Sequence, residues 1–217
     1  MQQRRLTKKW LLNLAINSLF GMLILLCQIE TAYSAPKSLL VLGDSLSAEY
    51  GLARGTGWVA LMEQRIQEKK LSVTVTNASI SGDTTSGGLA RLPALLKKYQ
   101  PNVVIIELGG NDGLRGLPLS ASEQNFRAMI SACQEAKAKV VLVGMQIPPN
   151  YGKTYTDQFT GMYGKIAKEL KLPLVPFLLE GVADKPELFQ ADHIHLIAAA
   201  HPRMLDNVWP VVLPLIK

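Results

Sequence analysis

A serine hydroxyl becomes a nucleophile when a base takes its proton and a third group orients that base. Four short segments of this chain carry side chains suited to that work: Gly43-Asp44-Ser45-Leu46, Gly82-Asp83, Gly109-Gly110-Asn111-Asp112 and Asp192-His193-Ile194-His195. Ser45 is the candidate nucleophile. His195 lies three residues after Asp192, so one tight turn brings the carboxylate onto the imidazole nitrogen that faces away from the serine. Acyl transfer also needs donors aimed at the developing oxyanion. The Ser45 N–H, the Gly82 N–H with no side chain in its way, and the Asn111 amide are the candidates.

Taken alone, each segment has a plainer reading. Gly-Asp-Ser, the polar stretch from Asn77 to Asp83 and Gly-Gly-Asn-Asp all occur as ordinary turns, where Asp, Asn and Ser bond their own backbone. Asp192 and His195 read singly as a helix cap and a surface histidine. His193 and His195 lack a clustered cysteine or further acid, which makes a poor metal site. His201 falls in a helical pattern and reads as structural. There is no Gly-rich phosphate loop and no Gly-x-Ser-x-Gly elbow, which argues against nucleotide use and the α/β-hydrolase fold. The joint occurrence favours chemistry: every part of an acyl-transfer site appears once, in order, after an expected strand.

Those strands are short apolar runs at 38–43, 72–77, 102–108, 139–145 and 172–177. Runs without strict alternation fit strands buried on both faces of a parallel sheet. Helical patterns lie between them, at 57–69, 85–99, 120–137 and 156–170, with a last one near 197–214. Phe126, Met129, Ile130 and Cys133 recur at three- and four-residue steps, with Ser120 or Ser122 as the expected cap. Strands alternating with helices of this length predict βαβ crossovers and a three-layer α/β/α sandwich. In such a sheet the loops after the strands share the carboxyl edge, so the four polar segments converge on one rim.

The chain has 217 residues with 48% apolar residues, enough for one domain with a sizeable core. Its start reads differently. Arg4, Arg5, Lys8 and Lys9 precede an apolar stretch from Trp10 to Cys27, and Ala32-Tyr33-Ser34 supplies a small-residue exit. That pattern predicts a secretory signal peptide over 1–34, cut after Ser34, and a single catalytic domain over 35–217. An uncleaved membrane anchor is the competing reading. Leu26 before Cys27 speaks against a lipid anchor. The leader holds four of the 23 basic residues and one of the 17 acids, so the remainder has 19 and 16, a net charge near +3. The full-length +6 therefore overstates any case for nucleic acid. Cys133 is left without a partner, and its place in a helical stripe predicts a buried apolar role.

In these blocks the chain resembles the GDSL/SGNH hydrolase family. Gly43-Asp44-Ser45-Leu46, Gly82, Gly110-Asn111-Asp112 and Asp192-x-x-His195 match the family's four signature blocks in order. The stretches 77–84, 87–96, 107–116 and 149–152 resemble its bacterial periplasmic thioesterase, lysophospholipase and arylesterase members. The likeness runs over nearly all of the chain after the leader. It implies a flavodoxin-like sheet of order 2-1-3-4-5 and a monomeric periplasmic or secreted esterase that uses no cofactor and no metal. Its substrate would be a small acyl ester or thioester, including lysophospholipid, and it would bind no nucleic acid and keep no membrane span after processing. It implies Ser45 as nucleophile, His195 as base, Asp192 as its orienter, and Ser45, Gly82 and Asn111 as the oxyanion hole. It places Asp44, Gly113, Leu114, Ile147 and Pro148 at the substrate and makes 113–118 a loop that closes over an acyl chain. Three residues depart from the pattern. His193 replaces a glycine and Leu196 a proline, which bears on how firmly His195 is held; Glu49 replaces a glycine near the nucleophile, where it bears on head-group choice. A carbohydrate O-deacetylase on this fold, and a silent acyl- or glycan-binding module, are the alternatives.

Overall fold

A computed structural model describes residues 36–217, which form a compact unit carrying the whole sheet. The expected leader 1–34, with Cys27 and the Ser34 cut, lies outside the described residues. Five parallel strands run in the order β2-β1-β3-β4-β5. They are β1 (Lys37–Gly43), β2 (Val73–Asn77), β3 (Val103–Glu107), β4 (Lys139–Val143) and β5 (Leu174–Val175). β3 is buried at all five positions and β1 at its last five, because both lie inside the sheet with helices on either face. β5 is two residues long where six were expected, since Pro173 and Pro176 flank it and cannot donate to a ladder.

Helices α1 (Trp58–Glu68) and α6 (His201–Ile216) pack together, as do α2 (Thr85–Tyr99), α4 (Leu119–Glu135) and α5 (Lys153–Leu170). Between α2 and α4 lies α3 (Gly110–Leu114), one helical turn in a segment read as a plain loop. α4 begins after Pro118 without a side-chain cap. Neither Ser120 nor Ser122 caps it, and Ser122 instead donates to Asp112 Oδ1 at 3.0 Å. The fully buried Trp58, Phe126, Phe159 and Tyr163 anchor the core, each contributing about 1.5–3 kcal/mol by burial. Cys133 is fully buried, and desolvation pushes its thiol up to about 12, so it is an inert core residue.

The strand order reverses between β1 and β3. At that switch point the carboxyl ends of adjacent strands diverge and leave a crevice for ligand. Gly43 at the end of β1 sits opposite Glu107 at the end of β3. Ser45 and Asn111 therefore leave the sheet side by side.

Candidate active site

The turn after β1 is fixed from inside. Ala48 N–H donates to the Asp44 carbonyl at 2.9 Å, and Leu46 N–H donates to Asp44 Oδ1 at 3.0 Å. Beneath it, Ser47 Oγ donates to Glu107 Oε2 at 2.6 Å and accepts from Trp58 Nε1 at 3.2 Å. Glu107 is fully buried and its Oε1 has no partner, so desolvation, with Asp44 close by, holds its carboxyl well above the ordinary range. Asp44 is nearly as buried, and desolvation pushes it from 3.8 up to about 6. The turn thus stands on two acids that resist ionisation. Ser45, half-buried above them, has no hydrogen bond on its Oγ or its N–H among the described residues.

The segment carrying His195 is built around Asp192. Its Oδ1 accepts from the N–H groups of Ile194 and His195, both at 3.0 Å, and its Oδ2 meets His195 Nδ1 at 2.7 Å. These bonds all favour the carboxylate and pull Asp192 down to about 2. With Nδ1–H given to Asp192, His195 keeps Nε2 as a lone-pair acceptor. His193 adopts φ 57°, the left-handed region, which explains why a glycine suits the position. Leu196 pairs with Phe189 through bonds of their neighbours (Gln190 N–H to the His195 carbonyl at 2.7 Å, Ile197 N–H to the Leu188 carbonyl at 2.8 Å). The Leu196 N–H takes no part in that pairing, so replacing proline there sacrifices no contact of His195.

Asn111 opens α3, and its Nδ2 donates to the Asp83 carbonyl at 2.9 Å and Asp44 Oδ2 at 3.1 Å. Both amide protons thus point at the rim between the β1 and β2 loops. Gly109 before it has φ 99°, and a Cβ there would stand 2.3 Å from the Tyr163 hydroxyl, so only glycine fits. Asp112 behind it is buried; it accepts from Thr85 N–H at 2.9 Å, Thr85 Oγ1 at 2.5 Å and Ser122. Asp112 thereby pins α3 to the positive N-terminus of α2. Gly82 has φ 79° and an N–H without an acceptor among the described residues, while its carbonyl accepts from Arg115 at 3.0 Å.

A cavity of about 680 Å³ opens beside these groups. Ser45, Asn111 and His195 line it, as do Leu114, Ile147 and Pro148, and Met145, Phe177 and Phe189 extend the apolar wall. The volume is that of a small-molecule site. Gly82 does not line it and sits exposed at the rim. One expected substrate contact, Gly113, does not line it. Gly113 is buried below the wall, where a Cβ would meet Ile147 at 2.8 Å and Phe159 at 2.7 Å. Asp44 borders the cavity but is 2% exposed and spends its carboxylate on Leu46 and Asn111. Glu49 Oε1 accepts from Gly55 and Gly57 N–H and so holds the chain entering α1.

Two supporting residues, Tyr50 and Gln190, were not legible in the sequence. The Tyr50 ring lies 4.2 Å from the His195 ring. Gln190 Nε2 donates to the carbonyls of Tyr50 and Leu196, both at 2.9 Å, tying the serine loop to the histidine loop. His201, read from the sequence as structural, is buried and accepts the Trp58 N–H at 3.1 Å. A lone Tyr or Gln carries no spacing signal, so only the tertiary fold reveals Tyr50 and Gln190. Among the described residues no group of three or more His, Cys, Asp or Glu is arranged to hold a metal ion.

A serine at a tight turn after β1, an Asp-oriented imidazole and the Ser45 N–H and Asn111 amide beside an apolar cavity define a serine-hydrolase type of site. The GDSL-like lipase/acylhydrolase family model matches residues 41–203. Esterase TesA of Pseudomonas aeruginosa is 50% identical over 86% of this chain and 92% of its own length. Thioesterase 1/protease 1/lysophospholipase L1 of Escherichia coli is 45% identical over 85% of this chain and 87% of its own. A crystal structure of TesA superposes with TM-score 0.80 at 51% identity, covering 82% of this chain and 99% of the other. The chain belongs to the GDSL-like lipase/acylhydrolase family, has its SGNH-hydrolase fold and is a hydrolase of ester bonds. No helix among the described residues is long and apolar enough to cross a membrane.

Proposed function

We propose that this chain is an exported, monomeric serine esterase that cleaves acyl esters and thioesters, lysophospholipids among them, through an acyl-enzyme on Ser45. The observation that carries this is the 2.7 Å Asp192–His195 pair at the mouth of an apolar cavity that Ser45 also lines. Ser45 Oγ attacks the acyl carbonyl as His195 Nε2 takes its proton, and Asp192 stabilises the imidazolium. The N–H groups of Ser45 and Gly82 and the Asn111 amide receive the oxyanion. Collapse expels the alcohol or thiol with the proton from His195; water, deprotonated by the same nitrogen, then frees the acid.

The names of the relatives, an esterase and a thioesterase/lysophospholipase, support the substrate class. The apolar wall favours it over a deacetylase, whose acetyl group needs no such length of hydrocarbon surface. Ser45→Ala should abolish p-nitrophenyl butyrate hydrolysis and fluorophosphonate labelling while circular dichroism stays unchanged. Activity retained in that variant would overturn the assignment. The protein used, recovered after export, is expected to begin at Ala35 by mass, and an intact leader would overturn the cut after Ser34.

A further inference from the structure

Among the described residues, five large apolar side chains are notably exposed: Tyr50, Ile80, Leu117, Tyr151 and Ile194, between 36% and 54%. They are not scattered. Tyr50 follows β1, Ile80 follows β2, Leu117 follows β3, Tyr151 follows β4 and Ile194 follows β5, one on each connection leaving the carboxyl edge. In a parallel sheet those five connections surround one rim, the rim that holds Ser45 and His195. Contacts confirm the placement for several of them: Tyr50 stacks on His195, Ile194 lines the cavity, and the Tyr151 hydroxyl donates to the carbonyl of cavity-lining Leu114 at 2.8 Å. Tyr155 likewise fixes the backbone at Leu117, donating to its carbonyl at 2.9 Å.

Single exposed apolar residues are ordinary, but their concentration on one rim marks an interaction surface. We propose that this ring docks the enzyme onto the surface of aggregated lysophospholipid, with the cavity mouth facing the lipid. The inference rests on the esterase reading and names the physical state of its substrate. Three features select this partner. The ring encloses the mouth of an apolar cavity, so whatever covers it must also deliver an acyl chain; a second copy of the protein would instead close the mouth. Two of the five are tyrosines, whose apolar body and polar tip suit the head-group boundary. The same connections expose charges of both signs, Arg54, Arg115 and Lys153 with Asp184 and Glu187, which matches zwitterionic head groups better than a strongly anionic surface.

The test uses the protein recovered after export, the same form in which the esterase reading is tested. Ile80 lines no cavity and its side chain bonds nothing, so Ile80→Asp and Ile80→Trp should leave p-nitrophenyl butyrate hydrolysis in buffer within about twofold. Partition onto lysophosphatidylcholine micelles should fall roughly tenfold in Ile80→Asp and rise in Ile80→Trp, with lysophospholipid turnover following. Leu117→Asp, read by partition alone, should fall as Ile80→Asp does. Wild-type protein that hydrolyses p-nitrophenyl butyrate but does not bind the micelles would overturn the inference alone, as would three variants that all bind like wild type. Sedimentation showing a dimer that Ile80→Asp dissociates would assign the ring to self-association and overturn it too. Failure on p-nitrophenyl butyrate itself would overturn the esterase reading beneath it.

Discussion

Asn111 holds its amide between two oxygens, the Asp83 carbonyl and Asp44 Oδ2. An oxyanion entering the site competes with those two oxygens for the amide protons. Asn111→Ala should therefore lower kcat roughly 10²–10³-fold with KM changed little, the signature of a donor used in the transition state. An unchanged kcat would remove Asn111 from the oxyanion hole. His195 is secured separately: three hydrogen bonds pull Asp192 down to about 2, so it is ionised at neutral pH. At this scale the residues that meet at the candidate site were legible, since Ser, Asn, Asp and His at Gly-rich loop positions carry their chemistry in their type. Gly113 lies behind the cavity wall and not on it, because burial, which spacing does not encode, decides which side of the wall a residue occupies.

Elements deliver those residues, and α1 with α6 does so through one bond. His201, first residue of α6, accepts the N–H of Trp58, first residue of α1, whose indole in turn donates to Ser47. The nucleophile turn and the helix following the His195 segment are thus joined through Trp58. An imidazole that accepts at Nδ1 beside a helix N-terminus must be neutral, and desolvation lowers the His201 pKa accordingly. Its stabilising effect is present above the unfolded histidine value of about 6.5 and is lost as pH falls through the lower folded value. His201→Leu leaves the Trp58 N–H buried and unpaired, costing about 1–3 kcal/mol in denaturant unfolding. His201→Gln restores an acceptor and should recover most of that, without the acid-side loss. Equal stability of the Leu variant and wild type would show that the bond carries nothing. The strands and helices themselves followed from apolar periodicity, with ends off by a few residues. α3 did not, because Gly110-Asn111-Asp112-Gly113-Leu114 has no period to read and is helical through Asp112's bonds to α2 and α4.

For the whole molecule, packing β1 and β3 at the centre of the sheet forces Asp44 and Glu107 into the interior at the strands' carboxyl ends. The switch point needs a turn there, and the turn needs acceptors; the acids supply them but resist ionisation. Both have folded pKa values above their ordinary 3.8 and 4.5. A raised acid binds more protons folded than unfolded, so its contribution is fully present below the unfolded value and lost as pH rises through the folded one. For Asp44 that window runs from about 4 to about 6, and for Glu107 it extends further upward. His201 acts in the opposite sense over part of this range, so the wild-type slope alone does not isolate the acids. Glu107→Gln does, because the amide oxygen can still accept from Ser47 while nothing at that position titrates. The variant should lose less thermal stability than wild type between pH 5 and about 8, measured as the difference in Tm across that interval. Its Tm at pH 8 should equal or exceed that of wild type. Identical slopes would mean that Glu107 titrates alike in the folded and unfolded chain, and that the nucleophile turn does not rest on a protonated acid.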